Sequence, residues 1–558
     1  MRHLEADVLI IGAGGAGMYA AIEAARQGAK RVLLVDRSLI GRGGATVMAQ
    51  MTVAAAVAPE GEDHWEHHLA DTLVAGRGLC DPSLSALLCE VGAECIREMD
   101  AWKVGWARNG NRLAQVQAPG HDRPRCVYVD FLSTGPAVSR TLRAQVQRVG
   151  DAIQRIGEVA ITDLVVQDGA VTGAVGLHIA TGEALTIAAA ATIIATGGLT
   201  RLYKRNSASL NMSGDGYALA LRAGAVLQDM EFVQFFPIGH LAPRMIGMDP
   251  IMWDPFRYKL GGRLLNGAME EFLPRWGGAA ENGKYSTTRD LATYAIVKEA
   301  EAGRGSPAGG AWLSFSHVPA AELRAAFGPV IDRLAGNGID LTRDAIEVSP
   351  IAHYHMGGIR VDTRMRTNLP GLLAAGEAVG GANGANRLSG NAITEALAFG
   401  RIAGTEAKRI ASSGSGRAFR RSAALPALDL LGADGPSVNT AALVDQLQSL
   451  MSADAGPFRT ATGLQRARDG IAALRAGLGE APPGSPGMPH DLARLDWFDL
   501  RQMLLVAETV IEAAMARTES RGAHQREDFL EQDEAWLVNQ LVTLDGGRAV
   551  LSRVPVAA

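Results

Sequence analysis

Three glycines near the start of the chain have the spacing of a phosphate-binding turn. Gly12, Gly14 and Gly17 directly follow an apolar run at residues 7–11 and precede a helical pattern of apolar residues. The first glycine permits a tight turn, the second lets the backbone approach a pyrophosphate, and the third lets helix and strand pack closely. The amide groups at the start of the helix would then face the phosphates. The pattern therefore predicts a dinucleotide-binding site.

The elements around this turn must form a sheet covered by helices. A second apolar run, at residues 31–35, ends at Asp36, where a carboxylate can accept hydrogen bonds from an adenosine ribose. Strand-like segments return at residues 158–196, where Asp168-Gly169 predicts a hairpin turn, and at 358–361 and 371–375. Helical periodicity dominates from about residue 425 onwards. The order of elements predicts an α/β fold.

Composition limits the class of protein. The chain has 558 residues, a net charge of -5 and 47% apolar residues, which allows a large core and argues against a disordered chain. It lacks the basic excess of a nucleic-acid binder. The four cysteines do not have the spacing of a zinc or iron–sulfur site, so no metal site is expected.

Targeting signals are also missing from the sequence. No apolar run reaches the roughly 18 residues of a transmembrane helix, so no direct membrane span is expected. The acidic Glu5 and Asp7 follow the first residues, and no signal-peptide pattern is present. We therefore expect a cytoplasmic protein.

The chain resembles the flavoprotein family of succinate dehydrogenase, fumarate reductase and L-aspartate oxidase over nearly its whole length. Besides the glycine turn, the resemblance rests on blocks that occur in the family's order. They are ATGG at 195–198, SGDG at 213–216, FVQF at 232–235, TRD at 288–290, HYHMGG at 353–358, AAGE at 374–377, GANRL at 384–388 and ESRGAH at 519–524. The resemblance implies a Rossmann-like FAD-binding domain at 1–235 and 346–424, an inserted α+β capping domain at 236–345 and a C-terminal helical domain at 425–558.

The resemblance implies FAD as the bound dinucleotide. Glu377 would bind the flavin ribityl chain, and Asp215 would lie in a glycine-rich turn near the cofactor. Family members with covalent flavin carry a histidine where this chain has Ala45, so we expect FAD to be bound noncovalently. The predicted cofactor contacts are Gly12, Gly14, Gly15, Gly17, Asp36, Ala45, Thr46, Gly197, Asp215, Glu377 and Asn391.

The resemblance also assigns the proton transfer of the reaction to Arg289. Because the free pKa of arginine is above about 12, this residue needs a relay that passes the proton on. The family supplies a Glu and an Arg three residues apart. One inserted residue in the alignment places Asp254 and Arg257 at these positions, whereas a gapless alignment places Pro255 and Tyr258 there. We favour the insertion because both charge types reappear together; a solvated acid–base pair on a loop is the alternative.

One substrate carboxylate site matches the family. His353 and Arg387 correspond to the residues that hold this carboxylate in its members. The planar fork of an arginine suits a carboxylate, and a neighbouring histidine can add a donor.

The second carboxylate site departs from the family. Phe236 replaces a histidine, Trp253 replaces a threonine under the inserted alignment, and Trp106 lies where the family has a phenylalanine over flavin and substrate. A carboxylate beside these groups and Ile238 would lose its hydration without gaining partners. Succinate and fumarate are therefore expected to be poor substrates, unless His240 reaches back into the site.

These observations predict an FAD-dependent oxidoreductase that transfers a hydride between flavin N5 and the carbon next to a carboxylate-bearing C–C bond. Enoate reduction and acid desaturation both remain open, with a small carboxylic acid as the substrate. One alternative is an amino-acid oxidase resembling L-aspartate oxidase. Another is an electron-transfer subunit that works with an iron–sulfur partner. A catalytically silent flavoprotein is disfavoured because Arg289 is retained.

Overall fold

The computed structural model describes residues 1–58, 62–130, 132–245, 251–253, 260–277, 280–281, 284–285, 289–413 and 418–557. Its strands are β1 (Arg2–Ile11), β2 (Val32–Val35), β3 (Val53–Ala54), β4 (Arg108–Asn109), β5 (Arg112–Leu113), β6 (Gln115–Val116), β7 (Cys126–Val127), β8 (Ile153–Ile156), β9 (Val159–Gln167), β10 (Ala170–His178), β11 (Glu183–Ile194), β12 (Leu227–Gln228), β13 (Val233–Ala242), β14 (Arg263–Leu265), β15 (Ala280–Glu281), β16 (Lys284–Tyr285), β17 (Ala311–Ser314), β18 (Ile346–His355), β19 (Gly358–Ile359), β20 (Leu372–Ala374), β21 (Val538–Asp545) and β22 (Arg548–Pro555). Its α-helices are α1 (Gly15–Arg26), α2 (Trp65–Ala75), α3 (Pro82–Ala101), α4 (Thr134–Val149), α5 (Asp215–Ala223), α6 (Arg289–Glu301), α7 (Ala320–Phe327), α8 (Pro329–Gly336), α9 (Asn391–Ser412), α10 (Arg421–Gly432), α11 (Thr440–Asp454), α12 (Ala461–Leu478) and α13 (Leu492–Ala516).

A seven-stranded sheet lies behind the glycine turn. Its order is β8-β2-β1-β11-β10-β9, and β20 also pairs with β11. β1 is parallel to both β2 and β11, and its last four residues, Val8–Ile11, are all buried. A parallel strand with neighbours on both faces needs apolar residues at successive positions, and this explains the continuous apolar run. The predicted strand–turn–helix–strand unit is confirmed, with β1 beginning earlier than predicted, at Arg2.

The predicted hairpin at Asp168-Gly169 is also confirmed. These two residues connect β9 and β10, which pair antiparallel. Both have positive φ, 48° for Asp168 and 75° for Gly169. A two-residue turn of this kind matches the right-handed twist of the flanking strands, and aspartate and glycine tolerate it better than other residues.

The chain forms two compact units. The first comprises Met1–Lys204, Ala208–Val233 and Tyr354–Ala558, and the second comprises Arg205–Ser207 and Gln234–His353. Within the second unit, a four-stranded sheet has the order β13-β18-β17-β14. The division into domains with limits at residues 236, 346 and 425 stays a prediction.

The C-terminal segment contains the predicted helices and one further feature. Helices α10 to α13 are followed by a hairpin of β21 and β22, which helical periodicity did not indicate. β21 pairs antiparallel with β12, Leu227–Gln228, to give the sheet order β19-β12-β21-β22. This hairpin depends on a partner strand far away in the chain, which a local sequence pattern cannot reveal.

The helices and thiols of the described ranges agree with the expectations for membrane and redox chemistry. None of the helices there combines the length and the apolar character needed to cross a bilayer. Cys80, Cys89, Cys95 and Cys126 are buried. Burial raises the pKa of Cys80 and of Cys89 to about 12, so these thiols stay protonated and unreactive.

Candidate functional site

The glycine turn between β1 and α1 leaves space at one position only. A Cβ on Gly12, whose φ is 101°, would lie 2.4 Å from the carbonyl oxygen of Ala195. A Cβ on Gly17 would lie 1.8 Å from the carbonyl oxygen of Gly12, so helix and strand are in direct contact. At Gly14 it would meet, among the described atoms, only Thr46 Oγ1 at 3.8 Å. The protein's own packing therefore does not require a glycine at position 14, and a ligand can approach the backbone there.

Helix α1 begins beside this space without a side-chain cap. Its N-cap residue is Gly14, and the amide of Gly15 donates to Thr46 Oγ1 at 3.0 Å. The first amides of a helix and the positive end of its dipole attract anions. The turn thus fits a pyrophosphate.

Asp36 is held at the end of β2 next to the turn. Its Oδ2 accepts a hydrogen bond from the amide of Ala13 at 2.6 Å, and its Oδ1 accepts from the amide and the hydroxyl of Ser38, both at 2.7 Å. A carboxylate can accept about four hydrogen bonds. The fixed carboxylate therefore retains capacity for a ribose hydroxyl.

Helix α13 fixes the loops on either side of this region. Arg37 donates to both carboxylate oxygens of Asp499, at 2.8 and 2.7 Å, and Arg201 donates to the same carboxylate. Asp499 is buried, and the two arginines hold its pKa below its ordinary value. The sequence analysis attached no role to residues 440–500, and the charge pattern of α13 did not indicate these distant partners.

Two further predicted cofactor residues are carboxyl groups in a low-polarity environment. Glu377 Oε1 accepts from the amide of His355 at 3.1 Å, and a Cβ on Gly198 would lie 2.2 Å from that oxygen. Desolvation raises the pKa of Glu377 to about 8 and that of Asp215 to about 6. Oδ1 of Asp215 is buried and has no hydrogen-bond partner among the described residues. A bound polar group next to Asp215 would satisfy this oxygen. The neighbouring Gly197 has a φ of 78°, so the backbone turns sharply here.

Two more predicted cofactor residues differ in what their side chains offer. Ala45 precedes the short 3-10 helix Thr46–Met48 and has no group that could bond to a flavin. Asn391 begins α9, with its Oδ1 accepting from His68 Nε2 at 2.8 Å and its Nδ2 donating to Thr72 Oγ1 at 3.1 Å. Both ends of this amide are thus engaged within the protein. A cofactor contact of Asn391 stays a prediction.

Arg387, in the first unit, is nearly buried against an aromatic ring. Its guanidinium carbon lies 4.5 Å from the centroid of the Tyr354 ring, and its Nη1 donates to the carbonyl of Leu388 at 3.2 Å. The Tyr354 hydroxyl in turn donates to Glu395. The sequence analysis did not single out Tyr354, although it lies within the HYHMGG block, or Glu395, for which the sequence gives no signal.

The predicted substrate residues of the second unit surround His353. Ser207 Oγ lies 2.7 Å from His353 Nδ1, which fixes the orientation of the imidazole. The ring of Phe236 approaches His353 edge-on, with centroids 5.7 Å apart. Phe236 and Ile238 are both buried. The environment of His353 on this side is therefore apolar, and Ser207 is a contact that the sequence analysis missed.

The two tryptophans predicted to contact substrate are both buried. Trp253 packs edge-on against Phe327 at 5.8 Å and lies 6.2 Å from Phe315, inside the second unit. Its neighbour His240 is engaged with the carbonyl of Pro243 at 2.6 Å. Trp106 lies in the first unit, and its indole nitrogen has no hydrogen-bond partner among the described residues. A buried indole usually finds a partner, which a bound molecule can supply.

The predicted proton relay is only partly visible. Arg289 is the first residue of α6. Asp254 and Arg257 lie outside the described residues, as do Pro255 and Tyr258 of the gapless alignment. The relay therefore stays a prediction.

Comparisons with known proteins agree with this geometry. A family model for an FAD binding domain matches residues 7–393, and one for the fumarate reductase flavoprotein C-terminus matches residues 444–557. A subunit of the fumarate reductase (CoM/CoB) of Methanothermobacter marburgensis is 36% identical over 95% of this chain and 96% of its own length. L-aspartate oxidase of Caulobacter vibrioides is 34% identical over 96% of each chain.

Solved structures give the same result. The quinol fumarate reductase FrdA of E. coli, solved as a mutant, matches with a TM-score of 0.89 at 30% identity, over 100% of this chain and 98% of its own. Sdh1 of Mycobacterium smegmatis matches with a TM-score of 0.89 at 32% identity, over 100% of this chain and 95% of its own. The predicted family, fold class and FAD cofactor are confirmed. The chain belongs to the family of FAD-dependent oxidoreductases that contains fumarate reductase flavoprotein subunits and L-aspartate oxidases.

Proposed function

We propose that this enzyme oxidises or reduces the C–C bond next to the carboxylate of a small acid that carries only one carboxylate. FAD, when bound, supplies the hydride chemistry of this reaction. The protein contributes the groups that hold the carboxylate, move the proton and exclude water. The observation that carries the proposal is the buried, apolar Phe236 beside His353.

The carboxylate of the substrate is assigned to His353 and Arg387. Ser207 fixes the imidazole of His353, and the ring of Tyr354 carries the guanidinium of Arg387. Both side chains are therefore oriented before any ligand arrives, which lowers the entropy lost on binding. An arginine fork and an imidazole N–H together satisfy the lone pairs of one carboxylate.

The opposite end of the substrate is expected to be apolar. Phe236 and Ile238 offer no hydrogen-bond donor through their side chains, and both are buried. An ionised carboxylate brought against them would pay several kcal/mol for lost hydration. An alkyl or aryl group would instead gain contact area.

Arg289 is the proposed proton donor or acceptor. It is the first residue of α6 in the second unit. Asp254 and Arg257 are proposed to exchange the proton with solvent, since an arginine cannot complete a cycle without a relay.

Replacing Phe236 by histidine should create activity toward C4 dicarboxylates. The imidazole would supply the donor that the second carboxylate lacks, so we expect KM for succinate or fumarate to fall about tenfold or more, the value of one charge-assisted hydrogen bond. Steady-state kinetics of the holoenzyme measures this. Phe235→His, the neighbouring residue of β13 whose side chain points to the other face, is the matched control. An unchanged KM in Phe236→His, with full FAD content, would contradict the proposed apolar end.

The proposal as a whole is tested by anaerobic titration of the oxidised protein. Succinate, L-aspartate and a panel of monocarboxylic acids are added separately, and loss of flavin absorbance is followed. If none reacts, the chemically reduced protein is mixed with enoates and reoxidation is followed. Reaction with a monocarboxylate but not with succinate or fumarate supports the proposal, whereas efficient reaction with a C4 dicarboxylate overturns it.

An amino-acid oxidase is the second candidate. The identity of 34% with L-aspartate oxidase of Caulobacter vibrioides favours it. The apolar Phe236 counts against aspartate itself because aspartate carries two carboxylates. Hydrogen peroxide formed with an amino acid in air would separate this candidate from the first.

An electron-transfer partner is proposed as well. Two relatives are named as subunits of a fumarate reductase, one from Methanothermobacter marburgensis and one from Escherichia coli. We propose an iron–sulfur protein as the partner of this chain. Its presence is tested by iron analysis and mass spectrometry of the protein purified from its native cells.

FAD is proposed to be noncovalent because Ala45 stands where a linking histidine would be needed. Precipitation of the purified protein with acid should therefore release all of the flavin into the supernatant. Absorbance at about 450 nm of the supernatant and of the redissolved pellet measures the two fractions. A yellow pellet that fluoresces after denaturing electrophoresis would contradict this expectation.

A further inference from the structure

Tyr354 connects two charged residues of the first unit through two different parts of its side chain. The guanidinium carbon of Arg387 lies 4.5 Å from the ring centroid, over the face of the ring. The hydroxyl at the edge donates to Glu395 Oε2 at 2.5 Å. The orientation of the ring therefore couples the carboxyl group to the guanidinium.

Glu395 is itself fixed in place. It lies on α9, is fully buried, and its Oε2 also accepts a hydrogen bond from Asn383 Nδ2 at 2.6 Å. Its Oε1 has no partner among the described residues, so a single oxygen accepts both bonds. A side chain held by two short bonds and by close packing on a helix has one orientation, and it transmits that orientation to Tyr354.

The hydrogen bond also affects the ring as a binding surface for a cation. A phenol that donates to a carboxyl group gains electron density, which makes the ring face more negative and more attractive to a guanidinium. Arg387 is only 7% exposed, and cation–π contacts are stronger when the cation is desolvated. Loss of the bond would loosen the ring and weaken its face at the same time.

We propose that Glu395 is a positioning residue for Arg387, acting through the hydroxyl and ring of Tyr354. The inference rests on the proposed function, in which Arg387 binds the substrate carboxylate. Neither Glu395 nor Tyr354 has to touch the substrate for this role. The consequence is a specific one: the pair sets how well the enzyme distinguishes a carboxylate from a neutral group of the same shape.

Crotonate and crotonamide test this, because they have the same carbon skeleton and differ only in the carboxylate. Both are titrated into the oxidised holoenzyme, and Kd is obtained from the perturbation of the flavin spectrum. We expect the wild-type preference for crotonate to fall about tenfold in Glu395→Met, which keeps the length of the side chain but removes the acceptor, and equally in Tyr354→Phe. Glu395→Gln retains an acceptor oxygen and should keep the preference within about threefold.

Two further variants separate positioning from general damage. The double variant Tyr354→Phe/Glu395→Met should lose no more than either single variant, because both break the same link. Glu406→Met is the matched control, since Glu406 is a buried glutamate on the same helix that pairs with Arg366 and Arg409. Its preference for crotonate should equal that of the wild type.

Each contrary result has a distinct meaning. An unchanged preference in Glu395→Met, additive losses in the double variant, or an equal loss in Glu406→Met would overturn the positioning role. If Glu395→Met does not retain FAD, Tyr354→Phe decides, and an unchanged preference there overturns the role as well. A wild-type enzyme without preference for crotonate overturns the proposed function itself, and that result is seen before any variant is made.

Discussion

Replacement of Arg289 by glutamine should lower kcat by about three orders of magnitude, the upper range for loss of an acid–base group. Glutamine can still donate a hydrogen bond, but it cannot carry the proton that must move when the C–C bond is oxidised or reduced. FAD content should stay unchanged, because no predicted cofactor contact involves Arg289. Stopped-flow measurement of flavin reoxidation by crotonate, after chemical reduction of the protein, gives the rate of this step directly.

A surface arginine of the same unit is the control for this experiment. Arg324 is 60% exposed, lies on α7 and pairs with Asp332. Arg324→Gln should react as fast as the wild type, since an exposed ion pair contributes little. A rate in Arg289→Gln within tenfold of the wild type would show that another group moves the proton.

Replacement of Gly14 by alanine should abolish tight FAD binding while leaving the fold intact. A Cβ at this position meets only Thr46 Oγ1, at 3.8 Å, among the described atoms, and Gly14 has a φ of -73° that alanine adopts without strain. The methyl group would instead occupy the space through which the pyrophosphate approaches the backbone. Overpacking of this kind costs about 1–3 kcal/mol, so Kd should rise roughly 10- to 100-fold. Isothermal titration of the apoprotein with FAD measures the change.

Gly17→Ala provides the contrast. Its Cβ would lie 1.8 Å from the carbonyl oxygen of Gly12, so α1 would have to move away from β1. This variant should lose thermal stability and FAD together, whereas Gly14→Ala should keep the melting temperature of the wild-type apoprotein. Gly336→Ala, where a Cβ meets nothing within 4 Å, should change neither property. A lowered apoprotein melting temperature in Gly14→Ala would contradict the assignment of this space to the cofactor.

Local sequence patterns determined the cofactor-binding turn and the hairpins that follow directly from their own residues. Gly12, Gly14 and Gly17 predict the turn because each glycine answers a steric demand within a few residues of the chain. Asp168 and Gly169 predict their hairpin because positive φ is a property of those two residues. The family blocks then identified FAD and the general chemistry, because they lie where cofactor and substrate groups meet the chain.

Tertiary structure decided which side chains stand behind the predicted ones. Ser207 orients His353, Asp499 holds Arg37 and Arg201, and Glu395 reaches Arg387 only through Tyr354. Trp253, expected at the substrate, is packed among aromatic rings of the second unit. The physical reason is the same in each case. Hydrophobic periodicity and turn chemistry act between near neighbours, whereas these contacts join segments that only the completed packing brings together.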